Sequence, residues 1–346
     1  SVTGAIRYNT DSNKMECFDG TKWMQIAVSS PDLNGGTRGI MAGGATLPAW
    51  GGINTISYIT ISTTGNSQDF GDMTEKGYGM GASSRTRMVR FGGYVDPGTI
   101  VNTIGYITIS STGDEIDYAD LTEARGAGVA WSNSTRALIA GGYFASTPDP
   151  QNRTNSIEYF TIASSANAID FGDLWDQTRY CGSVGNPTRM LIYGGQTDNP
   201  ATVTNTINYV TISTTGNSAD FGDLTAAYWG SWAGGGVSNA VRGCISGVGG
   251  ASPAFGNTID YVTTASLGNA AEFGDLTAAR GYGERETQLC SSTRGVFYSG
   301  WVAPTYNTTL DYIEIMSTGN AVDYGDISYD NIGYVATGSN GHGGLG

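Results

Sequence analysis

Short runs in which apolar and polar residues alternate recur along the chain, and no segment of useful length has the 3.6-residue period of a helix. The clearest runs are NTISYITIS, which ends at Ser62, and NTINYVTIS, which ends at Ser213. Their β-branched and aromatic residues suit a pleated sheet. Turn sequences such as TGNS follow these runs, so the pattern predicts an all-β protein.

The runs belong to a unit that occurs six times. Each copy contains Thr/Val-Arg followed by an apolar run and, in most copies, Gly-Gly; the arginines are Arg38, Arg87, Arg136, Arg189, Arg242 and Arg294 and define copies one to six. They are spaced by 49, 49, 53, 53 and 52 residues, and a period of this size indicates stacked supersecondary units.

Each copy offers four strands. The first is a small-residue run that starts at Gly77, Gly126, Tyr180, Tyr228 or Gly281, and the second leads into the glycine pair. The third is the Ile/Val/Thr/Tyr-rich run, and the fourth surrounds DFGDLT or a near variant. Four strands repeated six times predict a six-bladed β-propeller of four-stranded blades.

The two ends of the repeat region complement each other. Copy one starts at Thr37 with its second strand, and NIGYVATGSNG, from Asn331, matches the missing first strand. We therefore expect the C-terminal strand to complete the blade of residues 37–74 and close the ring, which removes a free sheet edge. The predicted domains are an attachment module at 1–36, the propeller at 37–340 and a glycine-rich tail at 341–346, with His342 in solvent.

One face of the predicted propeller carries the variation. The third-strand tyrosine is always 14 residues before the second Asp of the DFGD motif, whereas the loop between strands two and three varies in length. Loops on a rigid scaffold often bind ligands, although surface loops also tolerate length changes at little cost. The predicted binding residues are the aromatics of these loops: Trp50, Tyr94, Tyr143, Phe144, Trp301 and Tyr306.

The repeated polar residues have structural and functional interpretations. Glycine pairs such as Gly43-Gly44 suit a tight strand exit, and phosphate binding would need a following helix. The DFGD aspartates are expected to form turns, with calcium as the alternative. The repeated arginines, with Arg125, Arg179 and Arg280, are expected to pair with these aspartates between blades, with a ligand cluster in the central channel as the alternative.

Composition narrows the function classes. The net charge of −14 disfavours nucleic-acid and anionic-membrane partners, and no apolar run approaches the ~20 residues of a membrane-spanning helix. One histidine disfavours histidine metal sites and Ser-His-Asp catalysis, so we predict no metal, no cofactor and no enzymatic activity. The four cysteines are far apart and are expected to be isolated, mostly buried thiols.

The first residues predict a separate element. They indicate strands at 6–9, 15–18 and 23–26 joined by turns at 11–13 and 19–20, with Tyr8, Phe18 and Trp23 as candidate attachment residues. Since the chain opens Ser1-Val2-Thr3 without an initiator methionine, we expect a processed product or the last part of a longer chain.

The repeat region resembles kelch-type propellers from about Thr37 to Ser339, in its strand ending in Gly-Gly, its variable loop and its tyrosine at fixed spacing. It departs from them at the usual fourth-strand tryptophan, where residues such as Phe70 and Tyr118 stand. The N-terminal GAIRYNTDSNKMECFDGTKWMQI resembles a short module of bacteriophage tail-fibre and other virion proteins. Together they are similar to structural proteins of tailed phages, particularly of marine cyanobacterial phages.

The resemblance implies a virion component, located on the extracellular particle, with other virion subunits as partners. The leading hypothesis is a tail fibre or appendage whose loops bind a host-surface glycan or protein. A capsid or tail decoration protein with a purely structural role is the first alternative. A carbohydrate-active, depolymerase-like propeller is the second, although no acid stands apart from the repeated set.

Overall fold

The computed structural model describes residues 2–10, 14–25, 37–46, 51–96, 98–145, 153–197, 202–228, 235–248, 255–281, 288–298, 300–302, 305–328 and 332–345. The chain divides into two units, Ser1–Gly36 and Thr37–Gly346. The last residues therefore belong to the large unit.

The small unit is a three-stranded antiparallel sheet, as predicted. Its strands are β1 (Ile6–Asn9), β2 (Lys14–Phe18) and β3 (Trp23–Gln25), in the order β1-β2-β3. The predicted turn at 11–13 and residue 26 lie outside the described residues. At the second turn, the Asp19 carboxylate accepts hydrogen bonds from the backbone N–H groups of Thr21 and Lys22, at 2.8 Å each. These bonds hold the pKa of Asp19 below its usual value.

Over its described residues, the large unit is all-β apart from one short 3-10 helix at Gly343–Leu345. Its strands are β4 (Arg38–Thr46), β5 (Gly51–Thr60), β6 (Gln68–Ser83), β7 (Arg87–Val95), β8 (Thr99–Ile100), β9 (Thr103–Thr108), β10 (Ile116–Asp120), β11 (Arg125–Gly126), β12 (Val129–Ser132), β13 (Arg136–Ala140), β14 (Tyr143–Phe144), β15 (Ser156–Thr161), β16 (Ile169–Asp173), β17 (Gly182–Gly185), β18 (Arg189–Tyr193), β19 (Gln196–Thr197), β20 (Thr202–Val203), β21 (Thr206–Thr211), β22 (Ala219–Asp223), β23 (Gly236–Ser238), β24 (Arg242–Val248), β25 (Thr258–Thr263), β26 (Ala271–Asp275), β27 (Arg294–Phe297), β28 (Gly300–Val302), β29 (Thr305–Asn307), β30 (Thr309–Glu314), β31 (Val322–Asp326), β32 (Ile332–Gly333) and β33 (Ala336–Ser339).

Copies three, four and five each form the predicted four-stranded antiparallel sheet, in the orders β12-β13-β15-β16, β17-β18-β21-β22 and β23-β24-β25-β26. Copies one and two share a nine-stranded sheet because β6 runs for 16 residues from the fourth strand of one copy into the first strand of the next. In copy six, β27-β30-β31 pair, and Cys290 forms an isolated bridge to Gly295.

One predicted first strand needs correction, and another lies largely outside the described residues. In copy five the strand is at Gly236–Ser238, after the run of residues 228–235 that was predicted to form it. In copy six the predicted run starts at Gly281, and residues 282–287 lie outside the described part of the chain. The run of copy five mixes three aromatic residues, which favour strands, with three glycines, which do not, so its strand signal is mixed.

The C-terminal strand pairs with copy one, which confirms the pairing expected from the sequence. β33 lies antiparallel to β4 with Ala336 opposite Ala42 and Ser339 opposite Gly39, and β32 continues the pairing to Thr46. The Ser83 hydroxyl of copy two donates to the carbonyl of Ser339 at 2.8 Å. The last strand is therefore bonded to copies one and two.

The described residues form six apolar core clusters, and each cluster joins two neighbouring copies. Phe91 of copy two packs with Phe160 of copy three, and Met41 of copy one packs with Tyr298 of copy six. The other four clusters join copies one and two, three and four, four and five, and five and six. Each copy buries one apolar face against each neighbour, so the copies depend on one another for stability.

Backbone hydrogen bonds at the turn before the fourth strand also join each copy to its neighbour, in the same order as the core clusters. The turn of every copy donates an N–H to the carbonyl of the second DFGD aspartate position in the preceding copy, and copy one donates to copy six. The six bonds, 2.7 to 2.9 Å long, are Ser67 to Asp326, Glu115 to Asp72, Ala168 to Asp120, Ser218 to Asp173, Ala270 to Asp223 and Ala321 to Asp275. The DFGD segment therefore joins neighbouring copies through its backbone.

Glycine in this motif is required by close approach. A Cβ added to Gly222, whose φ is +148°, would lie 2.5 Å from the carbonyl oxygen of Gly268 in the next copy. Copy two has Ala119 at the equivalent position, and there the facing turn of copy three contains Ala166 in place of glycine. The motif therefore varies together with the turn that packs on it.

The repeated arginines were predicted to pair with the DFGD aspartates, but they have other partners. Strand register places Arg38 opposite Thr60 and Asp72 opposite Thr55, about 17 Å apart along the third strand. All six arginines instead stack over the third-strand tyrosine of their own copy, at 4.3 to 4.9 Å from the ring centroid. Each also donates to a carbonyl at the end of the third strand in the next copy, as Arg136 does to Ile212 at 3.0 Å.

Arg125 and Arg280 do form ion pairs between copies, with other partners than predicted. Arg125 binds Glu158 at 2.7 Å, and Arg280 binds Asp311; both carboxylates directly precede a third-strand tyrosine. Arg179 donates to the side chain of Gln196 at 3.0 Å. These contacts are internal, so they agree with a structural role for the three arginines.

The glycine-rich tail is not a solvated extension, which corrects the expectation for His342. This residue is 1% exposed, and its Nε2 donates to the carbonyl of Ser83 at 2.8 Å while its Nδ1 accepts from the N–H of Gly344 at 3.1 Å. Its ring packs edge-on against Trp131. Glycines flank it because a Cβ on Gly344 would lie 1.8 Å from the carbonyl oxygen of Ser132.

Burial of His342 predicts a pH-dependent stability. Desolvation lowers its pKa from 6.5 to about 4, assisted by Arg85 and opposed by the bond to Ser83. Because the unfolded chain takes up this proton first, we expect the free energy of unfolding to fall by up to about 3 kcal/mol as pH drops from 6.5 to 4. Urea denaturation at pH 7 and pH 4.5 should show a smaller decrease for His342→Gln; an equal decrease in both proteins would contradict the assignment.

Three cysteines are buried and Cys17 is partly exposed, with no disulfide among them, which confirms the expectation of mostly buried thiols. Burial raises the pKa of the Cys181 and Cys290 thiols to about 12 and that of Cys244 further. Because the thiolate is the reactive form, we expect one rapid reaction with Ellman's reagent per native chain at pH 8 and four in urea. A native Cys17→Ser variant should show none.

Candidate functional site

Two tyrosines meet where the second strand of copy two leaves its sheet. Tyr78 on β6 and Tyr94 on β7 are register partners, and their ring centroids are 5.0 Å apart. Gly93, which precedes Tyr94 within β7, has φ +87°, and a Cβ there would lie 2.0 Å from the carbonyl oxygen of Tyr78. The glycine pair therefore lets the backbone pass close enough for the two rings to pack.

A further tyrosine extends this pair on each side. The ring centroid of Tyr334, just before β33, lies 5.7 Å from that of Tyr78, and the ring centroid of Tyr143 on β14 lies 6.2 Å from that of Tyr94. We call Tyr334, Tyr78, Tyr94 and Tyr143 the tyrosine row. Its central rings are half-buried and its outer rings are 8% exposed. The row spans three copies, so only the folded large unit brings its members together.

Tyr334 has an unusual backbone conformation, with φ +62°. Tyr180 and Ala127 occupy the same position before the first strand of their copies, with φ of +61° and +56°. A positive φ is unfavourable for residues with a bulky side chain, and such positions cluster at functional sites. Because the conformation recurs before three first strands, it is a feature of the repeat that Tyr334 shares with residues outside the row.

The predicted binding residues are only partly brought together. Tyr94 and Tyr143 are in contact, and Phe144 is beside Tyr143 with the Arg125 guanidinium 4.6 Å from its ring centroid. Trp301 and Tyr306 are register partners in the separate β28–β29 hairpin. Trp50 lies outside the described residues. The prediction thus found two members of the row and missed Tyr78 and Tyr334.

A signal for the missed tyrosines is present in the chain. Tyr180 and Tyr334 lie two residues before the strands β17 and β33, and Tyr78 occupies the corresponding position within the long strand β6, two residues before Met80. The prediction considered loop residues alone and assigned Tyr78 to a strand. Alignment of the six copies by position would have singled out these tyrosines.

In the small unit, the three predicted attachment residues have different surroundings. Tyr8 is 55% exposed. Phe18 and Trp23 pack with ring centroids 5.4 Å apart, and the Arg7 guanidinium lies 4.2 Å from the Trp23 ring centroid. Arg7 also binds Glu16 at 2.8 Å. Tyr8 is therefore the residue of the three that offers most of its surface to a partner.

The described ranges hold no group of three or more His, Cys, Asp or Glu residues placed to bind a metal ion. Nor do they contain a helix of the length and apolarity that crossing a membrane requires.

No protein-family model matches the chain, and no curated protein matches it.

Proposed function

We propose that residues 37–346 form a six-bladed β-propeller of four-stranded blades, with β33 as the first strand of the first blade. The cyclic contacts support this arrangement: core clusters, turn hydrogen bonds and arginine contacts each join every copy to the next and copy six to copy one. Three independent sets of contacts with the same cyclic order are the pattern of a closed ring of blades.

We propose further that the protein is a non-enzymatic structural component of a phage virion, part of a tail fibre or appendage, and that its loop face binds a host-surface glycan. The resemblance of the N-terminal module to virion proteins supports the location. The observation that supports binding is the tyrosine row.

The tyrosine row has the properties of a glycan-stacking surface. Tyrosine presents an apolar ring face together with a hydroxyl, so it can contact the C–H face of a sugar and also bond its hydroxyl groups. The half-buried rings of Tyr78 and Tyr94, with centroids 5.0 Å apart, are the accessible part of the row, and the buried rings of Tyr334 and Tyr143 support them at centroid distances of 5.7 and 6.2 Å. The row is fixed by packing, so little conformational entropy is lost when a ligand binds.

Binding is tested with the purified full chain on a glycan array and on lipopolysaccharide from marine cyanobacteria. We expect binding that Tyr78→Ala and Tyr94→Ala weaken at least tenfold, as for a central aromatic contact. Trp175→Ala is the control, because Trp175 is a 55% exposed aromatic that is not part of the row. Equal binding by all variants, or no binding by the parent chain, would refute the glycan-binding role.

Virion location is tested separately by immunogold labelling of phage particles. Label on fibres or appendages agrees with the proposal. Label on the head would favour a decoration protein, and unlabelled particles would refute a virion role. Release of reducing ends from host polysaccharide would indicate an enzyme instead.

A further inference from the structure

Copy two differs from the other five at a core position. At the third residue after the repeated arginine, copy two has Arg90, which is 2% exposed. The other five copies have an apolar residue there: Met41, Ile139, Ile192, Ile245 and Phe297. Arg90 Nε donates to Glu115 Oε1 at 2.7 Å and its Nη2 to Oε2 at 3.2 Å. Gly105 makes room, because a Cβ there would lie 2.3 Å from Glu115 Oε1.

A cavity of about 290 Å³ lies beside this ion pair, between copies one and two. It is lined by Thr74, Glu75, Arg90, Thr103, Gly105 and Asp117. At the next junction an arginine side chain occupies the corresponding region: Arg125 donates to the carbonyl of Ser156, which is the equivalent of Thr103. Strand register pairs Gly77 with Val95 as it pairs Arg125 with Phe144, so the position that Arg125 occupies at the next junction has no side chain here.

Two buried polar atoms of the lining have no hydrogen-bond partner within the described residues. They are Nη1 of Arg90 and Oγ1 of Thr103. Buried polar groups are nearly always hydrogen-bonded, and leaving them unpaired is unfavourable. A donor and a hydroxyl without partners in one cavity indicate a ligand that supplies the missing partners.

The other polar groups of the lining restrict the ligand's chemistry. Arg90 Nη1 needs an acceptor, whereas the exposed carboxylates of Glu75 and Asp117 accept hydrogen bonds from donors. An anion would meet these two carboxylates, and a cation would meet Arg90. Hydroxyl groups on adjacent carbons both donate and accept without carrying charge. The cavity volume is close to the lower limit for small-molecule sites.

We propose that this cavity binds one neutral sugar residue, with Arg90 and Thr103 holding its inner hydroxyls and Glu75 and Asp117 its outer ones. The site shares no residue with the tyrosine row and goes beyond the function proposed above. It is a candidate for a terminal or branching sugar, since its lining groups surround a single residue.

The test is saturation-transfer NMR and titration of the full chain with glucose, galactose and mannose at millimolar concentration, with glucuronate and glucosamine as charged comparators. We expect a neutral hexose to bind more tightly than either charged sugar. Thr103→Val removes only the unpaired hydroxyl, so it should weaken binding about fivefold without reducing the melting temperature. Thr258→Val makes the same change at the equivalent position of copy five and should leave binding unchanged.

A second variant removes the ion pair without leaving a buried charge. Arg90→Ile combined with Glu115→Ala installs the residues of copy five, Ile245 and Ala270, and should weaken hexose binding at least tenfold. No hexose binding by the parent chain, preferential binding of a charged sugar, or equal binding by both lining variants would overturn the proposal. Tyr94→Ala should leave hexose binding intact and Thr103→Val should leave array binding intact, so failure of one proposal is distinguishable from failure of the other.

Discussion

Removal of residues 331–346 is expected to abolish the cooperative unfolding transition of the large unit, or to reduce its free energy of unfolding by at least ~5 kcal/mol, which is comparable to the whole stability of many domains. The deletion exposes the edge of β4 and removes Val335 and Ala336 from two core clusters. It also removes the hydrogen bond of 2.7 Å from the Ser339 hydroxyl to the carbonyl of Cys290. Urea denaturation followed by circular dichroism measures the effect.

Deletion of residues 1–36 is the control for this truncation. It removes more than twice as many residues, but they form a separate unit, so the urea midpoint of the large unit should be nearly unchanged. Limited proteolysis should cleave the C-terminal truncation rapidly and leave the N-terminal truncation largely intact. A C-terminal truncation that keeps the parent midpoint would show that β33 is dispensable for folding.

Glu158→Leu should have the next largest effect, a loss of about 3–5 kcal/mol in the free energy of unfolding, because it leaves a buried guanidinium without its counter-ion. Arg125 has no exposed side-chain area and Glu158 is 1% exposed. Burial lowers the pKa of Arg125, and the Glu158 carboxylate opposes this by stabilising the charged form. Chemical denaturation of the single and double variants measures the loss.

The double variant Arg125→Met with Glu158→Leu should recover most of that stability, since it removes both charges and keeps the side-chain volume. Glu314→Ala is the matched surface control: Glu314 is 48% exposed, it binds Arg294 at 3.0 Å, and its removal should cost no more than about 1 kcal/mol. A double variant as unstable as Glu158→Leu would show that the destabilisation comes from lost packing and not from the unpaired charge.

Strand positions were predictable wherever the chain repeats a local pattern. The third and fourth strands of copies three to five agree with the structure because β-branched runs, a fixed spacing and glycine turns are local signals. The first strand of copy five was misplaced because its run mixes aromatic residues, which favour strands, with glycines, which do not. The predicted partners of the repeated arginines were wrong because spacing along the chain does not show which end of the neighbouring third strand lies beside each arginine.

The candidate sites depended on comparison between copies. Tyr94 and Tyr143 were found because they lie in variable loops, and Tyr78 and Tyr334 were missed because their segments are adjacent only after folding. Arg90 was visible in the chain as a charged residue at an otherwise apolar position. The interpretation of Arg90 as part of a binding site depended on the structure, which shows that its side chain is buried beside a cavity.

The amino-acid pattern was sufficient for the all-β class, the six copies and the pairing of the last strand with the first copy, because these features follow from spacing and from a missing element at each end. Tertiary structure was needed for the burial of His342, the assembly of the tyrosine row and the unpaired groups around Arg90. These features arise from contacts between residues far apart in the chain. Such contacts depend on how neighbouring copies pack, and no local periodicity records them.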